Sequence, residues 1–126
     1  MNLKIQSREI HVQTNSPFEY VDITEIVTNE IKKSQVSAGI VVVNVLHTTA
    51  SLVVQENDET IHKDANKILD RLAPYNIQYG HSYEGAVNGA AHQKQQLLGI
   101  TCVLPINDGK LTLGTWQRVF LVELFK

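Results

Sequence analysis

The sequence predicts a single α+β domain over residues 1–126, with mostly antiparallel or mixed twisted β-sheets packed against two to three helices. Its 126 residues and 43% hydrophobic content are enough to fill one core. Helix-like segments interrupt the strands without a regular βαβ repeat. The C-terminal third has the pattern of a meander of strands, which favours antiparallel pairing over a parallel sheet.

The first third of the chain contains an extended segment, a helix and a strand. Residues 4–14 have the pattern of an opening strand or hairpin. Asp22 and Glu25 then form a capping box, and apolar residues recur at helical spacing until Gly39. Residues 40–47 are almost all β-branched or apolar, which predicts a strand buried on both faces.

The middle third predicts a second strand and a second helix. Residues 52–55 form the strand, after a turn or bulge at residues 48–51. Asn57 or Asp58 caps the helix, which ends before Pro74. Its apolar stripe consists of Ile61, Ala65, Ile68, Leu69 and Leu72.

The last third begins with a polar, aromatic stretch at residues 75–89 that shows no sustained hydrophobic periodicity. A loop of this length in a small domain suggests a functional role. A short helix is predicted at residues 88–98, with Gly99 just past its end. Three strands follow at residues 100–106, 110–113 and 115–125, and the Asp108-Gly109 pair predicts a hairpin turn between the first two.

The charge and cysteine content exclude several classes of protein. A formal net charge of -2 and scattered basic residues argue against nucleic-acid binding. No apolar run approaches the length of a membrane helix, and the N-terminus does not resemble a secretory signal. The single cysteine, Cys102, lies in an apolar run and is expected to be a small buried hydrophobe. We therefore expect a cytoplasmic protein.

Three histidines fall at the boundaries of the predicted elements: His47 at the end of a buried strand, His81 in the polar loop and His92 on the short helix. Three imidazoles can bind zinc or a similar metal and leave a position open for water or substrate. The alternative is that His47 is a hydrogen-bonded core residue while His81 and His92 are solvated. His11 and His62 are expected at the surface.

Other polar residues suggest phosphate or acid–base chemistry. Thr48 and Thr49 follow His47, and the carboxylates of Glu56 and Asp58 lie farther along the chain. Such groups can bind a phosphate ester, hold hydrated Mg²⁺ or transfer protons. The alternative is that they only form turns and helix caps.

Two further residues have both a structural and a functional interpretation. Asn88 is four residues before His92, so both can face one ligand, but Asn88 can equally be the N-cap of the helix. Glu123 shares a strand face with Gln117 and apolar neighbours. It can orient a histidine or a ligand, or it can face solvent at the end of the strand.

Several motifs together resemble the YjbQ-like family, also called the secondary thiamine-phosphate synthase enzyme family. They are Gly109-x-Leu111-x-Leu113-Gly114-Thr115-Trp116-Gln117, His47-Thr48-Thr49-Ala50-Ser51-Leu52, Glu56-Asn57-Asp58, and His81…Glu84-Gly85…Asn88…His92. The resemblance covers nearly the whole chain, and Gly-Thr-Trp-Gln in this setting is its most specific part.

The resemblance implies a homotrimer in which His47, His81 and His92 gather at a polar site and can hold a divalent metal, zinc or magnesium. It further implies that Glu56 and Asp58 flank the site, and that Thr48, Thr49, Asn88 and Gln117 contact a phosphorylated small molecule. The implied reaction joins a pyrimidine-methyl diphosphate to a thiazole phosphate.

The chain departs from the family pattern at Glu123-Leu124-Phe125-Lys126, where members continue into a Gly-Pro-Arg segment. A ligand-binding arginine in that segment has no counterpart here, and Lys94 and Arg118 are the candidate cations near the motifs. Three hypotheses remain at this point. The chain is an enzyme, a non-catalytic module that binds a metal or a phosphorylated metabolite, or a protein whose histidines serve subunit contacts.

Overall fold

The computed structural model describes residues 2–125, and within them three helices pack against two three-stranded antiparallel sheets. The strands are β1 (Tyr20–Asp22), β2 (Gly39–Asn44), β3 (Ala50–Glu56), β4 (Thr101–Asn107), β5 (Lys110–Leu111) and β6 (Gln117–Glu123). The helices are α1 (Thr24–Ser34), α2 (Glu59–Leu72) and α3 (Ala86–Leu98). The predicted α+β class with antiparallel sheets is confirmed.

The two sheets are each organised around one C-terminal strand. In the first sheet β6 lies between β1 and β3, and in the second β4 lies between β2 and β5. The hairpin from β4 to β5 turns at Asp108 and Gly109, whose φ angles of 51° and 73° are those of a type I′ turn. The Asp-Gly prediction is therefore correct.

The first sheet lies between two apolar layers. One of its faces packs against α1 and the second sheet, through a cluster that includes Val27, Leu52, Ile106 and Val119. The opposite face packs against α3 through Phe120, Val122 and Ala91. Cys102 packs against the first cluster and burial raises the pKa of its thiol, but it is only partly buried and thus less enclosed than expected.

One predicted element and several predicted boundaries are wrong. Residues 4–14 form no strand in the structure, although Val12 packs against the core. Helix α1 ends at Ser34 rather than near Gly39, because Gln35 adopts a left-handed backbone with φ of 57°. Helix α3 begins at Ala86, so its N-cap is Gly85 and Asn88 lies inside the first turn.

The strand predicted at residues 40–47 is shorter and is not buried on both faces. It ends at Asn44, three residues before His47. Val41 and Val43 face the core, but Ile40 is 67% exposed, and Val42 and Val103 on the neighbouring strand are each 56% exposed. We call Ile40, Val42 and Val103 the apolar sheet face, because they form an uncovered surface on one side of the second sheet.

Helix α2 also exposes part of its predicted stripe. Leu69 is buried, whereas Ile68 and Leu72 are 55% and 64% exposed. Among residues 2–125, no helix is long and apolar enough to cross a membrane.

Candidate functional site

Two of the three predicted histidines meet at the side of α3. His81 lies in the loop before this helix and His92 lies on it, and their ring centroids are 4.7 Å apart in an edge-to-face arrangement. Tyr83 contacts His81 from another direction, with 5.1 Å between ring centroids. The loop and the helix therefore hold two imidazoles within reach of one small ligand.

A hydrogen bond fixes the tautomer of His92. Its Nδ1 lies 3.1 Å from the backbone oxygen of Thr48. A carbonyl oxygen can only accept, so Nδ1 is the donor, and in the neutral ring Nε2 then carries the lone pair. Metal-binding histidines are commonly held by a backbone carbonyl in this way. His92 is thus prepared to bind a metal or accept a proton through Nε2.

The backbone of the His47 segment is fixed against α3 and the chain end. The Gln95 side chain donates to the backbone oxygen of His47 at 2.8 Å, and the Leu124 N–H donates to that of Thr49 at 3.1 Å. His47, Thr48 and Thr49 therefore lie on the same side of α3 as His92. Within residues 2–125, however, no three His, Cys, Asp or Glu side chains converge to hold a metal.

Gly89 sets the position of the His81 loop. A Cβ atom at this position would lie 2.9 Å from Tyr79 Cβ and 3.0 Å from the backbone oxygen of His81. The Tyr79 hydroxyl donates to the backbone oxygen of Pro74, which anchors the other end of the loop. The loop can pack this closely only because residue 89 has no side chain. Sequence reasoning missed this role, although a glycine inside a helix was a signal for it.

Asn88 is buried rather than exposed to a ligand. It is 2% exposed and, among residues 2–125, its Oδ1 has no hydrogen-bond partner and neither does the hydroxyl of fully buried Ser51. Ser51 pairs with Val122, which packs with Ala91 of α3, so both groups belong to the interface between α3 and the first sheet. Asn88 lies on the same helix as His92, but its side chain is buried in the interior of the protein.

Glu56 lies at the opposite end of the first sheet from the histidines. Strand β3 begins at Ala50, beside the His47 segment, and ends at Glu56. Six residue steps at 3.3 Å each place these ends about 20 Å apart. Glu56 pairs in register with Gln117, which places Gln117 at the same distant end.

Asp58 and Gln117 already have structural roles at that end. The Oδ1 of Asp58 accepts from the Thr60 hydroxyl at 2.6 Å and from the Thr60 N–H at 2.8 Å, which caps α2. These hydrogen bonds lower the pKa of Asp58, so this carboxylate is a weak proton acceptor near neutral pH. The Oε1 of Gln117 accepts from the Gly114 N–H at 2.8 Å and closes the turn of the Gly-Thr-Trp-Gln motif.

Within one chain, the predicted site residues therefore lie in two separate groups. The histidine end contains His47, Thr48, Thr49, His81, Asn88 and His92, and the carboxylate end contains Glu56, Asp58 and Gln117.

The two candidate cations are both engaged in ion pairs. Arg118 Nε lies 2.7 Å from Asp22 and its Nη2 lies 3.4 Å from Glu25. Lys94 Nζ lies 2.5 Å from Asp70. Neither is a free positive charge at the histidine end.

The other two histidines, His11 and His62, and Glu123 lie in different environments. His11 is exposed, as expected. The expectation for His62 is wrong, because it is 8% exposed and stacks on Tyr20 with ring centroids 4.1 Å apart. Its Nε2 lies 3.1 Å from the backbone oxygen of Glu56. Glu123 accepts from the Thr14 hydroxyl at 2.7 Å and from the Leu124 and Phe125 N–H groups, so its carboxylate organises the chain around β6.

Comparisons with known proteins agree on one family. The family model described as UPF0047 protein YjbQ-like matches residues 8–126. A UPF0047 protein of Methanocaldococcus jannaschii is 41% identical over 89% of this chain and 80% of its own length. The UPF0047 protein YjbQ of Salmonella typhimurium is 38% identical over 80% of this chain and 75% of its own length.

Solved structures show the same similarity. A YbjQ-like protein of unknown function from Sulfolobus solfataricus superposes with a TM-score of 0.87 at 35% identity, covering 93% of this chain and 84% of that one. A YjbQ/UPF0047 protein from Clostridium acetobutylicum has a TM-score of 0.80 at 33% identity, covering 90% and 88%.

Proposed function

The chain belongs to the UPF0047 YjbQ-like family, and on that premise we propose that it is a cytoplasmic homotrimeric enzyme acting on a phosphorylated small molecule. The reaction takes place at the histidine end. The observation that carries the proposal is the His92 ring, which is held by the Thr48 backbone oxygen and packs edge to face against His81.

A divalent metal fits this end in part. His81 and His92 supply two nitrogen ligands of the kind that zinc prefers, and His47 or a residue of a neighbouring subunit supplies a third. Bound there, the ion would act as a Lewis acid on a phosphate oxygen. The Thr48 carbonyl keeps the His92 ring oriented for this role.

The apolar sheet face supports assembly into a trimer. Its exposed β-branched side chains form an apolar surface of the kind that subunit contacts cover. In a cyclic trimer each interface joins two different surfaces, so the carboxylate end of one subunit can lie beside the histidine end of the next. Glu56 is then the acid–base or Mg²⁺ partner supplied across the interface, since Asp58 is committed to its helix cap.

The start of α3 supports the choice of a phosphorylated ligand. Its N-cap Gly85 has no side chain to bind the free backbone N–H groups, and the first turn contains no acidic residue. Such a helix start favours an anion. The candidate reaction is thiamine-phosphate synthesis from a pyrimidine-methyl diphosphate and a thiazole phosphate, in which the departing diphosphate would need this kind of stabilisation.

A non-catalytic module that binds a metal or a phosphorylated metabolite is the second candidate. The ion pairs of Lys94 and Arg118 favour it, because neither candidate cation is free at the histidine end to stabilise a leaving diphosphate.

A turnover assay separates the two candidates. The purified protein is incubated with both phosphorylated substrates and either Mg²⁺ or Zn²⁺, and thiamine phosphate and released diphosphate are quantified. We expect both products to form in equal amounts, and His92→Ala to abolish them while exposed His11→Ala does not. Saturable binding of the substrates without product would instead establish the binding module.

A further inference from the structure

A cavity lies on another side of α3 from the histidine pair. It has a volume of about 350 Å³ and is lined by Pro17, Phe18, Tyr75, Val87, Lys94 and Leu124. Lys94 is two residues after His92, and two residues rotate about 200° around a helix. The cavity is therefore separate from the histidine end, and its volume falls in the range of small-molecule sites.

The side chains that line this cavity are mostly apolar, and one lining residue, Phe18, has an unusual backbone conformation. Phe18 has a φ of 62°, a left-handed backbone that bulky residues rarely adopt. The Phe18 N–H donates to the backbone oxygen of Glu123 at 2.7 Å, and this hydrogen bond holds Phe18 in that conformation. The result is that the Phe18 ring forms a wall of the cavity and lies against Lys94, with 4.5 Å from Nζ to the ring centroid. Strained residues of this kind often mark ligand sites.

Lys94 is a charged residue in an interior position. It is 2% exposed, and an ammonium group has three N–H donors. Asp70 accepts one of them and, among residues 2–125, no second oxygen or nitrogen accepts from Nζ. The Phe18 ring face compensates only in part. A buried ammonium with unused donors is costly unless another acceptor reaches it.

We propose that this cavity binds a small apolar molecule that carries a carboxylate. The carboxylate pairs with Lys94, and the apolar body packs against Phe18, Val87 and Leu124. Asp70 leaves room for this pairing, because it accepts only one of the three N–H donors of Lys94.

Two naphthalene probes test this proposal, the carboxylate 2-naphthoate and the uncharged 2-naphthamide. Binding is followed by probe fluorescence. We expect saturable binding of 2-naphthoate with a dissociation constant near or below about 1 mM. Lys94→Met keeps the chain length and removes the charge, so it should weaken 2-naphthoate binding at least about tenfold and leave 2-naphthamide unchanged. Lys67→Met is the matched control, because Lys67 lies on α2 outside the cavity lining.

A second variant keeps the proposal testable if Lys94→Met fails to fold. Val87 is 43% exposed, so Val87→Trp should be tolerated while its ring fills the cavity. We expect this variant to lose both probes. The proposal is overturned if the parent protein shows no saturable binding, if folded Lys94→Met binds 2-naphthoate like the parent, or if Val87→Trp leaves binding unchanged.

Discussion

His92→Ala should lower the affinity for Zn²⁺ by more than about 100-fold, because it removes a ligand whose loss costs more than that of a supporting residue. The same change should lower the free energy of unfolding by less than about 1 kcal/mol, since His92 makes a single hydrogen bond to Thr48. Calorimetric titration with Zn²⁺ and urea unfolding measure the two effects.

His11→Ala provides the matched control for this prediction. His11 is exposed and pairs only loosely with Glu9, so its removal should change neither quantity. Equal Zn²⁺ affinity in His92→Ala and the parent protein would contradict the assignment of His92 as a ligand.

Gly89→Ala should weaken Zn²⁺ binding about tenfold or more, by displacing the loop that presents His81. The new methyl group meets Tyr79 Cβ and the His81 backbone, neither of which can rotate away. Overpacking costs about 1–3 kcal/mol, whereas alanine gains about 1 kcal/mol over glycine in a helix. We therefore expect a small net loss of stability together with a clear loss of affinity.

Gly80→Ala separates this effect from general sensitivity of the loop. No atom of the described residues 2–125 lies within 4 Å of a Cβ at position 80, so the change should be neutral in both assays. If Gly89→Ala binds Zn²⁺ as tightly as Gly80→Ala, the close packing at Gly89 does not position His81.

The fold was predictable where local signals agree with tertiary packing. Asp58 caps α2 as its residue type predicts, and Asp108-Gly109 forms the expected turn. Strand β1 was missed because three residues are too short for a periodic pattern, and it exists only through its pairing with β6. Helix α1 ends earlier than predicted because Gln35, a non-glycine residue, adopts the left-handed backbone conformation. The residue type gives no sign of such a helix end.

The candidate site was less predictable, since it depends on contacts between distant segments. His47, His81 and His92 were predicted to gather, but only the fold shows that the rings of His81 and His92 touch and that His47 does not join them. His62 was assigned to the surface from its polar neighbours Lys63 and Asp64, whereas the helix turns it inward onto Tyr20. Glu56 lies far from the histidines because the whole length of β3 separates them, and no sequence motif indicates this distance.

Native mass spectrometry of protein purified without an affinity tag or added metal measures both the subunit number and the bound metal. The proposal predicts a trimer that carries a divalent metal, and loss of that metal in His92→Ala with the trimer retained. A monomer without metal would contradict the proposed site, because one chain brings together only two of the three histidines.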